Sequence, residues 1–274
     1  MAVVSDFPIF CISLRDSPRR AAFAASAAAH AVAFEFVDAI SPADLRRGVV
    51  MEDCRIDITD LRWTRQEPID PRRQQAPLLF AEIGCAYSHM TCWRIGKARD
   101  LDHICVFEDD AVICRGLRGL DMPDAADMLY LGERMPRNRR GEIAGDGCGT
   151  EGYVLSRAGI RKCLEIFRVL HMPIDLQLVA HHSDDAMRAP RKFAPRPDVD
   201  PACHLRARVA RAPYCRHPEH DPSQMYESES QRAVAERDRL RLELAALYRS
   251  TSWRLTAPAR ALAAALARTG RRPG

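Results

Sequence analysis

One stretch limits what this chain can fold into: His103-Ile104-Cys105-Val106-Phe107-Glu108-Asp109-Asp110-Ala111-Val112-Ile113. Four apolar residues run straight into three consecutive acids, and apolar residues resume at once. The first run has the length and β-rich composition of a buried strand. An unpaired carboxylate inside such a strand would be heavily penalised, so the acids belong where the strand emerges, at its carboxyl end. In open α/β sheets that edge is where ligands bind. Three adjacent acids repel one another, and a hard divalent cation such as Mn²⁺ or Mg²⁺ would offset the repulsion. In extended backbone Glu108 and Asp110 point to the same side, so the pair can share one ion. A solvated acidic turn is the alternative reading of the same three residues.

The remaining chain supplies context. At 274 residues it can hold one large domain or two modest ones. The net charge is +4, yet residues 251–274 hold five arginines and no acid, which leaves residues 1–250 at −1. The body is therefore not a basic nucleic-acid binder, and the positive charge sits in the tail. Ten cysteines include no Cys-x-x-Cys pair, so a zinc ribbon or thioredoxin-type motif is unsupported. No basic segment followed by a long apolar core opens the chain, and no run of about 20 apolar residues occurs. The expectation is a reduced, cytoplasmic protein, soluble or peripheral on the cytoplasmic face of the inner membrane.

Phe7–Leu14 reads as a strand, Ser17-Pro18 as a helix start, and an alanine-rich helix follows to about His30. Ala33–Ala39 reads as a second strand, completing a βαβ unit and implying a parallel sheet. The first junction carries Arg15, Arg19 and Arg20. Arginines at a helix start suit a diphosphate or nucleotide, though three solvated arginines would look the same. Residues 46–77 read as a long loop of the kind that serves as a lid. Leu78–Leu101 has helical spacing, with Glu82, Ser88 and His89 as its polar members. Asp127–Gly132 and Cys148–Ser156 read as strands, and 133–149 as a flexible loop over the site. Ser156 caps a helix over 157–170, and Asp175 opens the next segment. His181, His182, Asp184 and Asp185 read as a polar turn rather than a metal cluster. Residues 186–222 read as irregular, 227–248 as a charged helix, and 259–268 as a basic amphipathic helix suited to an anionic membrane surface or a partner helix.

Four blocks in order carry a resemblance: Ile12–Arg20, Glu82–His89 with its Gly84-Cys85-x-x-Ser88-His89 core, Val106–Ala111, and Gly149–Ser156 followed by Pro173-Ile174-Asp175. Over roughly residues 7–180 the chain resembles glycosyltransferase family 25, the lipooligosaccharide β-galactosyltransferase type. Gly152 stands where alanine is frequent in that family, and 186–222 shows no clear match. The resemblance implies a GT-A-like, Rossmann-type α/β fold: a mainly parallel sheet flanked by helices, here with a C-terminal helical extension. It also implies a nucleotide-sugar donor, typically UDP-galactose, a Mn²⁺ or Mg²⁺ ion, inversion, and a glycan or glycolipid acceptor in surface-polysaccharide synthesis.

The expected parts are a catalytic domain over 1–218, a charged helix over 219–250 and a basic tail over 251–274. Glu108, Asp109 and Asp110 would hold the metal, and Ser13, Leu14, Arg15, Arg19, Ser88 and His89 the donor. Asp175 is the first choice and Glu151 the second for the base that inversion requires. A rival is a catalytically degenerate scaffold that recruits a partner or membrane through its C-terminal segments. A nucleotidyltransferase using the same acids would need a glycine-rich triphosphate loop, which the first strand lacks.

Overall fold

A computed structural model of the chain describes residues 7–57, 80–144, 147, 149–183 and 195–218. The chain divides into two units, Met1–Glu227 and Ser228–Gly274, and every described residue belongs to the first. The expected charged helix and basic tail, most of the 46–77 loop, and Asp184 and Asp185 lie outside the described residues.

The elements run β1 (Ile9–Ser13), α1 (Arg19–Ala29), β2 (Glu35–Asp38), α2 (Pro42–Arg46), β3 (Arg55–Ile56), α3 (Phe80–Ala98), β4 (His103–Glu108), β5 (Val112–Ile113), β6 (Met128–Tyr130), β7 (Gly152–Ser156), α4 (Arg157–Ile166), β8 (Val169–Leu170), α5 (Ile174–Ala180), β9 (Ala207–Val209) and β10 (Cys215–Arg216), with a 3-10 turn at Pro201–Cys203. Six strands form the main sheet in the order β2-β1-β4-β7-β6-β9. β1 pairs in parallel with both β2 and β4, β7 runs antiparallel to both β4 and β6, and β6 is parallel to β9. Reversing β7 alone would align every strand, so the expectation of a mainly parallel α/β sheet is borne out.

Helices cover both faces, and side-chain alternation along β4 decides which residue meets which helix. Cys105 and Phe107 share a core cluster with Phe23 of α1, whose ring lies 5.0 Å from Phe34 and 5.9 Å from Phe107. Ile104, on the opposite face, packs where a Cβ on Gly96 of α3 would sit. The same alternation turns Glu108 toward α3 and Asp109 toward the α1 side.

Helix α1 begins one residue later than Ser17-Pro18 suggests, with Pro18 at the cap and the Ser17 hydroxyl accepting the Arg19 amide at 3.3 Å. Ser156 caps α4 as expected, its hydroxyl accepting the Gly159 amide at 3.1 Å. That helix stops at Ile166 instead of continuing to 170, because Val169–Leu170 leaves to pair with β3. Buried Gln177 stabilises the break: its Nε2 donates to the carbonyls of Ile166 at 3.1 Å and Val169 at 2.9 Å, satisfying acceptors that a helix end leaves open. The irregular reading of 186–222 also needs correction. β9 forms the last strand of the main sheet and β10 pairs with β5. Both are too short to leave a two-residue periodicity.

Candidate active site

The parallel register of β1 and β4 sets Ile12 opposite Glu108. Their carboxyl ends therefore open together. Antiparallel β7 starts at the same edge, with Gly152 opposite Phe107 and the Glu108 amide donating to the Glu151 carbonyl at 3.2 Å. A cleft of about 590 Å³ lies at this edge. Of the expected site residues, Ser13, Leu14, Arg19, Ser88, His89, Glu108, Asp109, Asp110 and Asp175 line it. Arg15 and Glu151 are not among its lining residues.

The three acids point three ways. Glu108 Oε1 accepts the Thr150 hydroxyl and lies 3.3 Å from His89 Nε2. Burial works against its charge, but the contacts from His89 and Thr150 outweigh that and hold the carboxyl below its ordinary value. Asp109 Oδ2 accepts the Ser13 hydroxyl at 2.6 Å. Asp110 Oδ2 lies 3.3 Å from Nε2 of His217, while its Oδ1 is buried without a hydrogen-bond partner. Burial, reinforced by the Glu108 charge, pushes the Asp110 carboxyl up to about 7, with His217 and Arg19 acting in the opposite sense.

His217 lay in the segment read as irregular. It reaches the site because β10 pairs with β5, Arg216 opposite Val112, which brings the next residue back over the acids. Its Nδ1 lies 2.9 Å from the Pro218 carbonyl. A carbonyl only accepts, so Nδ1 carries a proton, and Nε2 is the ring nitrogen turned toward the Asp110 carboxyl. The 3.3 Å contact between Nε2 and Oδ2 is closed either by a proton between the two atoms or by a cation that both ligate. The orphaned Asp110 Oδ1 and the crowding by Glu108 point the same way, and an oxygen-rich set with one imidazole suits Mn²⁺ or Mg²⁺. A metal-ligating histidine that donates its other N–H to a backbone carbonyl is the usual arrangement.

Cys85, His89 and Glu108 also bring one ligand atom each to within 4.8 Å of the others. As they stand they form a poorer cation site. Burial pushes the Cys85 thiol far up, away from the thiolate a metal needs.

The Gly84-x-x-x-Ser88-His89 spacing has a local reason. A Cβ on Gly84 would run into the Ile40 carbonyl. Glycine there lets the chain after β2 lie directly on α3. Ser88 fastens it: its hydroxyl donates to the Gly84 carbonyl at 2.6 Å and accepts the Ile40 amide at 2.8 Å. The Ser88 side chain thus braces the cleft wall.

Arg15 Nη2 pairs with Asp38 Oδ2 at 2.7 Å across an exposed surface. Arg20 also bonds Asp38, and donates to the Leu14 carbonyl at 3.1 Å and the Ser13 hydroxyl at 3.3 Å. Arg20, more than Arg15, shapes the turn after β1. Glu151 is buried behind the cleft, and burial raises its carboxyl above the ordinary value. Its carboxyl fills the space where a Cβ on Gly132 would sit. Arg134 and Glu82 line the cleft too. Glu82 was legible as a polar residue on an apolar helix, whereas Arg134 sat unmarked in a polar loop.

No helix among the described residues is long and apolar enough to cross a membrane, and the described cysteines are all free thiols.

Residues 6–120 match the model of glycosyltransferase family 25, described as an LPS biosynthesis protein. The chain is also similar to the lacto-N-neotetraose biosynthesis glycosyltransferase LgtB of Neisseria gonorrhoeae, 25% identical over 199 residues. That match covers 61% of this chain and 64% of the relative, so the chain spans just under two thirds of the relative's length. The first three sequence blocks fall inside the family match and supply β1, α3 and β4 with its acids, so the similarity to glycosyltransferase family 25 covers the acidic strand end of the cleft.

Proposed function

We propose that the chain is a glycosyltransferase that moves a hexose, galactose in our reading, from a UDP-sugar to a glycan acceptor of lipopolysaccharide or lipooligosaccharide. The observation that carries this is the pairing of Asp110 with His217 at the carboxyl edge of a mainly parallel sheet, where the two side chains meet 3.3 Å apart in an open cleft. The family match over residues 6–120 and the LgtB likeness support it.

In this reading Asp110 and His217 hold the Mn²⁺ or Mg²⁺ ion, with Glu108 and Asp109 beside them. A bound divalent cation supplies charge neutralisation for the departing diphosphate. Arg19 adds positive charge on the same side and offers charge-assisted contacts to phosphate. Ser13 and Arg20 fix Asp109 and the turn after β1, which shape the nucleotide end. Ser88 keeps the Ile40 segment against α3. Asp175, at the start of α5 and on the cleft wall with Pro173 and Ile174, is the proposed base that takes the proton of the acceptor hydroxyl, as inversion requires. Glu151, enclosed behind the wall, is the weaker choice for that base. Residues 1–218 form the catalytic part, and the C-terminal segments provide contact with a membrane or partner.

The test is release of UDP from a panel of UDP-sugars with Mn²⁺ and then with EDTA. Metal-dependent release from UDP-galactose, increased by a lipooligosaccharide acceptor, is the expected result. No release from any sugar, together with no UDP binding by calorimetry, would refute the assignment and favour a non-catalytic scaffold.

A further inference from the structure

A chain of contacts behind the cleft joins the second and fourth sequence blocks and does not enter the proposed chemistry directly. We propose that Tyr153 and Trp93 are positioning residues that hold the His89 ring in one neutral tautomer, with its proton on Nε2 directed at the Glu108 carboxylate.

The assignment follows from counting protons in a closed space. Trp93, His89 and Tyr153 are all buried with no accessible surface. The indole N–H of Trp93 can only donate, and it donates to the Tyr153 oxygen at 2.9 Å. Tyr153 has one proton of its own, and its other partner is His89 Nδ1 at 2.8 Å. That proton therefore goes to Nδ1, which must be the lone-pair nitrogen. The rings of His89 and Tyr153 are nearly parallel, 23° apart with centroids at 5.7 Å. Nε2 then carries the imidazole proton and faces Glu108 Oε1 at 3.3 Å. The contact is longer and less aligned than a regular hydrogen bond, so it acts as an N–H dipole set against a charge. The opposite tautomer would leave the Tyr153 proton without an acceptor in a dry interior and turn a lone pair toward a carboxylate, both costly.

The consequence lies at Glu108. Thr150 and His89 both serve Oε1, and no hydrogen bond to Oε2 occurs among the described residues. The carboxylate is thus held by one oxygen and offers the other to a ligand. The same protonation pattern takes His89 Nε2 out of the metal-ligand set that Cys85, His89 and Glu108 would otherwise make. The tautomer stands on geometry alone, whereas its use in orienting Glu108 toward a nucleotide sugar rests on the function proposed above.

The experiment is long-range ¹H–¹⁵N correlation of the histidine rings in the intact chain at neutral pH, with the His89 signals assigned by their loss in His89→Gln. A neutral ring protonated on Nε2 is expected; a ring protonated on Nδ1, or on both nitrogens, would overturn the proposal. In Tyr153→Phe, which keeps the ring volume, the His89 signals should move toward a mixture of tautomers, and UDP affinity in Mn²⁺ should fall roughly 10-fold or more. An unaltered His89 ring in that variant would overturn the tautomer argument. Altered signals with unchanged UDP affinity would overturn the positioning role. If the wild-type chain binds no UDP at all, the proposed function fails, and the ring spectra still decide the tautomer.

Discussion

His217 Nε2 lies 3.3 Å from Asp110 Oδ2, although 106 positions separate the two in the chain. The strand pair β5–β10 makes the meeting unavoidable, since Cys215 opposite Ile113 and Arg216 opposite Val112 leave the next residue over the acids. Replacing His217 with Ala should weaken Mn²⁺-dependent UDP binding by roughly 10- to 100-fold while leaving metal-free UDP binding nearly unchanged. Calorimetry with and without Mn²⁺ checks this, and equal losses in both conditions would rule out a role at the cation.

Asp110 should make stability and metal affinity depend on pH in opposite senses. Its carboxyl is raised from 3.8 in the reference state to about 7 in the folded chain. Between those values the folded state holds a proton that the unfolded state has lost, so stability falls as pH rises across that window. A cation competes with that proton, so Mn²⁺ affinity should climb through about pH 7. Urea titrations of the metal-free chain from pH 5 to 8, alongside Asp110→Asn, provide the check. The variant should show a flatter profile.

Asp175→Asn should abolish sugar transfer and leave UDP binding within about twofold, because Asp175 lines the cleft as the proposed base and is not among the groups proposed to hold the cation. Glu151→Gln, altering a group enclosed behind the wall, should retain most turnover. Steady-state rates for both variants decide between the two carboxylates. The opposite ranking would move the base to Glu151.

Gly84→Ala should destabilise the fold by about 1–3 kcal/mol, the usual range for overpacking, because the new methyl meets the Ile40 carbonyl. A backbone oxygen cannot swing aside as a side chain can. Urea denaturation measures the loss, and Cys85→Ala one position along is the control.

Asp127 is a structural counterpart to the acids of the cleft. It is fully buried, with Lys162 Nζ at 2.7 Å and Arg206 Nη2 at 3.2 Å. These partners more than offset burial and hold its carboxyl below the ordinary range. Asp127→Ala should cost roughly 1–3 kcal/mol, the range for lost hydrogen bonds to charged groups, because Lys162 and Arg206 keep some solvent access; it is read as a lowered midpoint in thermal or urea unfolding.

What was legible in the sequence was local. Phe107 passing into Glu108-Asp109-Asp110 marked a strand end, because an apolar run cannot carry charge into a core. Ser156 announced α4, because a hydroxyl at that position takes up a free helix amide. The βαβ opening of β1, α1 and β2 marked the parallel sheet. Glu108 and Asp110 were recognisable as a pair, but their separate fates were not. Glu108 meets Thr150 and His89, Asp109 meets Ser13, and Asp110 meets His217.

The sequence by itself determined the α/β class, the acidic strand end and most of the residues that gather there, since strand runs, caps and helical spacing are written within a few neighbouring positions. Only the tertiary structure decided that β7 runs against its neighbours, that a two-residue strand carries His217 back over Asp110, and that Glu151 lies behind the wall that Asp175 lines. Those outcomes depend on pairings between segments far apart in the chain, whose energies come from register, burial and desolvation and leave no periodic trace in the residues themselves.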